Sequence, residues 1–168
     1  MKKILVFTLG LLLMCTPLFS QEKNYRSKGY KGSVSFTNTA VVWNGLDTSH
    51  GYMFNEHNYL GIGCGFFMVP NLDSNPTIVH AYLDYHVYCL KKRSTPMAGI
   101  KLGYARSVYP PDGWLSAMEA EPCIGWSWGL NSGNGLTLTL SAKIMTLTID
   151  YVQYVLQVLP SLSFAFEF

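Results

Sequence analysis

Along the last stretch of this chain the side chains change character at every residue. Leu162, Phe164, Phe166 and Phe168 alternate with Ser161, Ser163, Ala165 and Glu167. Neighbouring side chains on a β-strand point to opposite faces, so a period of two gives one bulky apolar face and one small or polar face. The same rhythm recurs upstream. Leu136, Leu138 and Leu140 alternate with Thr137, Thr139 and Ser141, while Met118, Ala120, Ile124, Trp126 and Trp128 oppose Glu119, Glu121, Gly125 and Ser127. Ile100, Leu102 and Tyr104 oppose Lys101, Gly103 and Ala105. Val79, Ala81, Leu83, Tyr85, Val87 and Cys89 oppose His80, Tyr82, Asp84, His86 and Tyr88. Leu60, Ile62, Cys64, Phe66 and Met68 oppose Gly61, Gly63 and Gly65. No segment after residue 20 has helical periodicity.

Turn chemistry separates these segments. Asn55–Asn58, Lys91–Pro96 and Asn131–Gly135 read as short turns, and Val69–Pro76 and Tyr109–Gly113 as longer loops. Weaker strands at Lys31–Val42 and Asp47–Phe54 bring the count to eight. Residues 1–20 read as a secretory signal that is removed: Lys2 and Lys3 precede an apolar run from Ile4 to Cys15, and Thr16–Ser20 ends it with a small residue. Residues 21–168 are then one barrel domain, with enough chain for eight strands of ~10 residues and short links. Cys64, Cys89 and Cys123 remain, an odd number without metal-site spacing, and read as small apolar residues in strands.

Which face looks outward decides the class. A water-soluble eight-stranded barrel turns its apolar face inward. Here that would leave Gly61, Gly63, Gly65, Gly103, Gly125, Ala105 and Ala165 to meet water with very few charges. Charged residues are 13% of the chain, against ~25% in ordinary soluble domains, and aromatics reach 14%. Small residues suit a cramped interior, and lines of Phe and Leu suit hydrocarbon. Tyr59, Tyr104, Trp114 and Trp128, near strand ends, predict interfacial girdles. The reading is therefore all-β: an eight-stranded antiparallel up-and-down transmembrane β-barrel in the cell outer membrane, surrounded by outer-membrane lipid and lipopolysaccharide. No basic patch is present, so nucleic acid is not an expected partner. A monomer is expected.

Gly29-Tyr30-Lys31-Gly32, followed by Thr48-Ser49-His50-Gly51-Tyr52-Met53-Phe54-Asn55, resembles the opening of the small outer-membrane β-barrel family common in Bacteroidetes. The glycine alternation after Tyr59-Leu60 and the Leu102-Gly103-Tyr104 segment are similar to that family, as is the final strand ending in Phe168. The resemblance implies an eight-stranded outer-membrane barrel that is inserted by the barrel-assembly machinery. It supplies no active site.

Eight strands enclose an interior that side chains just fill, so no wide channel is expected. Lys101, Glu119, Glu121, Asp84, His80 and His86 share the inward parity, with Lys143 a weaker member. Enclosed charges need partners, and a structural polar network is the expected role. Lys101 is the expected partner of Glu119 and Glu121, with Arg106 and Lys143 as further cations. A metal or proton site from His80, Asp84 and His86 is disfavoured, because same-face neighbours on a strand lie ~7 Å apart. No cofactor, metal or catalytic residue is assigned. The alternative is a lipid-modifying enzyme of the lipid A acylase or deacylase type, using Ser49 and His50 with Asp47. Adjacent strand residues face opposite ways, which argues against that dyad. The outer loops are expected at Trp43–Thr48, Val69–Pro76, Tyr109–Trp114 and Ile149–Tyr151, bearing Asp47, Asp73, Asp112 and Asp150.

Overall fold

A computed structural model describes residues 26–68, 77–109, 116–130, 133–149 and 153–168. The proposed signal segment, Trp114, Tyr151, Asp73, Asp112 and Asp150 lie outside the described residues. Eight strands follow in order: β1 (Gly29–Thr39), β2 (Trp43–Met53), β3 (Asn58–Met68), β4 (Thr77–Tyr88), β5 (Ser94–Tyr109), β6 (Ser116–Gly129), β7 (Gly135–Ile149) and β8 (Gln153–Glu167). Each pairs antiparallel with its neighbours in sequence, and β8 pairs with β1 to close the barrel. The closing seam is short. β1 pairs Ser33–Thr39 with Ser161–Glu167, so residues 153–159 of β8 are paired with β7 alone.

The period of two sorts the side chains as the alternation requires. Phe36, Leu46, Ile62, Leu83, Leu102, Met118, Ile124, Leu140 and Phe164 are exposed on the outer face, while Ser35, Thr37, Asp47, His80, Asp84, Glu119 and Thr137 are buried inside. The interior is layered. Toward the end that carries the β1–β2 turn, Phe67, Ile78, Ala105, Ala117 and Met145 form an apolar plug, with Trp43 stacked on Phe67 at 5.7 Å. Toward the end that carries both termini, Met53, Tyr59, Tyr88, Met97 and Cys123 form a second. Most of the buried charged side chains lie between the two, and Lys31 and Glu167 lie at the terminal end beside Tyr88. A cavity of about 40 Å³ beside Asp84, His86 and Lys101 is large enough to hold only water.

Two expectations are corrected here. Tyr59 is not part of an interfacial girdle: it shares the inward parity of Gly61, is 4% exposed, and its Oη lies 2.9 Å from Ser49 Oγ. The first loop is not Trp43–Thr48 either. Those residues are strand, and the reversal occupies residues 40–42, closed by the Thr39–Trp43 pair. Asn38 Nδ2 donates to the Val41 carbonyl at 3.2 Å and to Asn44 Oδ1 at 2.9 Å, which holds the turn without Gly or Pro. The Asn44-Gly45 step that resembles a turn is internal to β2, where a Cβ on Gly45 would lie 3.1 Å from Cβ of Phe67. Asp47 consequently belongs to the interior and not to a loop.

The turn is strained. Val41 sits at φ 70°, a left-handed conformation that a β-branched residue occupies at a cost of about 1–2 kcal/mol. Val41→Gly should therefore raise unfolding free energy by about 1 kcal/mol in urea titrations. Unchanged stability would mean that the strain is absent.

Candidate functional site

The layer between the plugs is built by six strands. β1 supplies Thr37; β2 supplies Asp47 and Ser49; β4 supplies His80, Tyr82, Asp84 and His86. Lys101 comes from β5, Glu119 and Glu121 from β6, and Ser141 and Lys143 from β7. Every one stands on the inward parity of its strand. Closure of the sheet brings side chains from non-adjacent strands across the axis.

His80 is the hub. Its Nε2 lies 2.7 Å from Asp47 Oδ1 and its Nδ1 2.7 Å from Glu119 Oε1. An imidazole facing two carboxylates donates to both only as the imidazolium, so the geometry describes a cation clamped between two anions. Thr37 donates to the second Asp47 oxygen at 2.8 Å. Lys143 spans the two glutamates, at 3.5 Å from Glu119 and 3.3 Å from Glu121, and Ser141 donates to Glu121 at 2.6 Å. His86 pairs with Asp84 at 2.9 Å. Lys101 lies 3.9 Å from Asp47 and 5.0 Å from the centre of the Tyr82 ring. Four carboxylates thus share the belt with two ammonium groups and two imidazoles, and the charges balance when both histidines are protonated. Glycine makes the clamp possible. A Cβ on Gly65 would collide with the Asp47 carboxylate and stand 2.8 Å from His80 Nε2.

A second set closes the terminal end. Lys31 reaches Glu167 at 2.7 Å across the β1–β8 seam, and Thr137 donates to Glu167 at 2.6 Å. The Tyr88 hydroxyl donates to the same carboxylate at 3.2 Å, and the Arg26 guanidinium lies 4.4 Å from the Tyr88 ring centre.

All six residues singled out in the sequence are inside, and Lys143, one of the further cations expected, bridges the two glutamates. Lys101 stands opposite Glu121 in register and is attracted by its charge, and its ammonium also comes within 3.9 Å of Asp47; both glutamates lean toward β7 and meet Lys143. Arg106 has outward parity and is exposed, so it cannot compensate interior charge. His80, Asp84 and His86 do not converge on one point, because His80 is held by Asp47 and Glu119 while Asp84 and His86 pair separately. Asp47, Lys31 and Glu167 were missed. Asp47 was hidden by the misplaced first loop, although its shared parity with Ser49 would have placed it inside. Ser49 and His50 face opposite sides: Ser49 Oγ meets Tyr59 inside, and His50 meets Tyr30 and Thr48 outside.

This geometry predicts a coupled response. Lys143→Met leaves two buried glutamates with reduced compensation and should cost about 3–5 kcal/mol, whereas Lys143→Met combined with Glu119→Gln and Glu121→Gln should cost clearly less. Urea unfolding in lipid vesicles, read by tryptophan fluorescence, measures both; purely additive losses would show that no network exists. Gly65→Ala should likewise destabilise by more than the ordinary change of under about 1 kcal/mol, because the new methyl displaces the Asp47–His80 contact.

No protein-family model matches the sequence, and no curated protein matches it. Solved structures do. The N-terminal β-barrel domain of Pseudomonas aeruginosa OprF aligns with a TM-score of 0.56 at 11% identity, over 84% of this chain and 98% of that one. Neisserial surface protein A aligns at 0.50 and 9%, over 83% and 92%. The outer membrane enzyme PagL aligns at 0.49 and 12%, over 82% and 97%. At such identities the likeness is one of fold, and the fold is that of the eight-stranded outer-membrane barrels.

Proposed function

We propose that this chain is an integral protein of the cell outer membrane with a structural or surface-interaction role and no catalytic chemistry. One observation carries the reading: the barrel is apolar outside and charged inside, the reverse of a water-soluble barrel. Val34, Phe36, Leu46, Leu60, Ile62, Leu83, Leu102, Met118, Leu162 and Phe164 all stand exposed around the circumference. In water they would drive aggregation; in a bilayer they meet hydrocarbon. Outer-membrane lipid and lipopolysaccharide are then its surroundings, and the last strand, β8, is what the barrel-assembly machinery would engage. The terminal end, with its short turns, faces the periplasm in this arrangement. The charged belt serves as a structural lock, and the two plugs leave the interior without a continuous aqueous path. The chain acts as a monomer.

Refolding into phospholipid vesicles tests this directly, with the gel shift between unheated and boiled protein as the readout. Phe164→Arg should cost about 2–4 kcal/mol in vesicles. Ser163→Ala, which removes only the hydroxyl that lies 3.1 Å from Thr37 Oγ1, should cost about 1 kcal/mol or less. Equal costs would reverse the assignment of faces. In planar bilayers the protein should show no sustained conductance of diffusion-pore size, and steady wide-pore currents would overturn the closed interior.

A further inference from the structure

Against its apolar outer face, the barrel presents a hydrogen-bonded chain of three polar side chains. Tyr30 Oη lies 2.6 Å from His50 Nδ1, His50 Nε2 lies 3.0 Å from Thr48 Oγ1, and the Thr48 hydroxyl donates to the Ser33 carbonyl at 3.1 Å. A carbonyl only accepts, so Thr48 gives its one proton to Ser33 and accepts from His50. In its neutral form His50 therefore carries its proton on Nε2 and accepts at Nδ1, which makes Tyr30 the donor. Every proton of the chain is committed. What it still offers is acceptor capacity, on the lone pairs of Tyr30 Oη. Aromatic faces surround this point, with Tyr30 stacked on His50 at 6.2 Å and the Phe168 ring edge-on to His50 at 6.2 Å. Polar groups on a lipid-facing surface are costly and call for a functional explanation.

The wall beside this cluster is hollowed. Thr48, Cys64 and Ala81 are direct cross-strand partners, three small residues in one row. They form an apolar trough of about 780 Å³ that runs from His50 and Thr48 to Tyr104 and Met118. The register gives its slope. The row of partners that starts at Met53, the last residue of β2, passes Tyr59 and His86 and arrives at Gly99, well inside β5. A line of neighbours thus climbs away from the terminal end as it runs from β2 to β5. The trough is polar at its low end and apolar at its high end, and Tyr30, paired with Tyr52, stands lower still.

We propose that this trough is a binding site for one phospholipid whose headgroup carries N–H donors, an ethanolamine-type ammonium. The inference rests on the membrane-embedded reading. One acyl chain lies along Thr48, Cys64 and Ala81 toward Tyr104. The ammonium donates to Tyr30 Oη and is attracted by the adjacent Phe168 ring. A choline headgroup of equal charge has no N–H to give, so the site distinguishes the two.

The test uses the full folded chain in vesicles containing equal amounts of ethanolamine and choline phospholipids with identical acyl chains. Mild detergent extraction and native mass spectrometry then count the retained lipids. Wild type should keep one ethanolamine lipid with roughly three- to tenfold preference over choline, the range of one hydrogen bond. Tyr30→Phe should abolish the preference but keep the bound lipid. Ala81→Phe, on the outer face, should fill the trough and release both lipids while the gel shift of the folded barrel persists. Equal retention of the two lipids by wild type, or undiminished retention by Ala81→Phe, overturns the site. Failure of wild type to enter vesicles at all overturns the membrane reading, and the site falls with it.

Discussion

The rest of the barrel depends on a cation held between two anions at its centre. His80 ties β2 to β6 through Asp47 and Glu119, strands that do not touch in the sheet. Backbone ladders hold each strand to its neighbours, but nothing in a ladder fixes the distance across the axis. Side chains must do that, and in an interior too narrow for bulk water they must also satisfy one another. The clamp at His80, the bridge at Lys143 and the pair at Asp84–His86 are three parts of one answer. Apolar clusters toward each end narrow the interior, and the cavity beside Asp84, His86 and Lys101 has room for water alone, so the charges of the layer interact far from bulk solvent.

In a bilayer, such a barrel cannot rely on burying apolar surface against itself. Its outer residues are as comfortable against lipid as against protein, so specificity shifts to the polar interior. That inversion explains the composition. Few charges are present, and those that face inward are spent on the belt and on the terminal seam. The small residues are equally purposeful: Gly63 lies under the Tyr82 ring and Gly65 under the Asp47–His80 contact, where a methyl group would collide.

The fold was legible because alternation is a local property: each strand announces its two faces without reference to any other. Parity alone placed Lys101, Glu119, Glu121, Asp84, His80 and His86 on one side. Which of them touch was not legible, since contact across a barrel depends on register, tilt and the reach of long side chains. Lys101 shows this, facing Glu121 in register while its ammonium also comes into ion-pair range of Asp47. The first hairpin failed for a different reason. Ala40-Val41-Val42 carries no turn residue, and the reversal is held by asparagine side chains on either flank. Tyr59 was misread because its position near a strand end was given more weight than its parity. The outer polar chain at His50 was not legible, because its connection to Tyr30 requires the β1–β2 register.

The ion pair between Lys31 and Glu167 has a consequence for how the barrel is closed. It joins β1 to the end of β8 from the inside, and two backbone bonds between Gly32 and Phe168 extend the same seam. Further along, Thr37 meets Ser163 and Thr39 meets Ser161, so polar side chains of both strands face each other down the inner side of the seam. The two strands farthest apart in sequence are thus zipped from within, and neither edge is left to offer its unpaired backbone groups to a foreign strand.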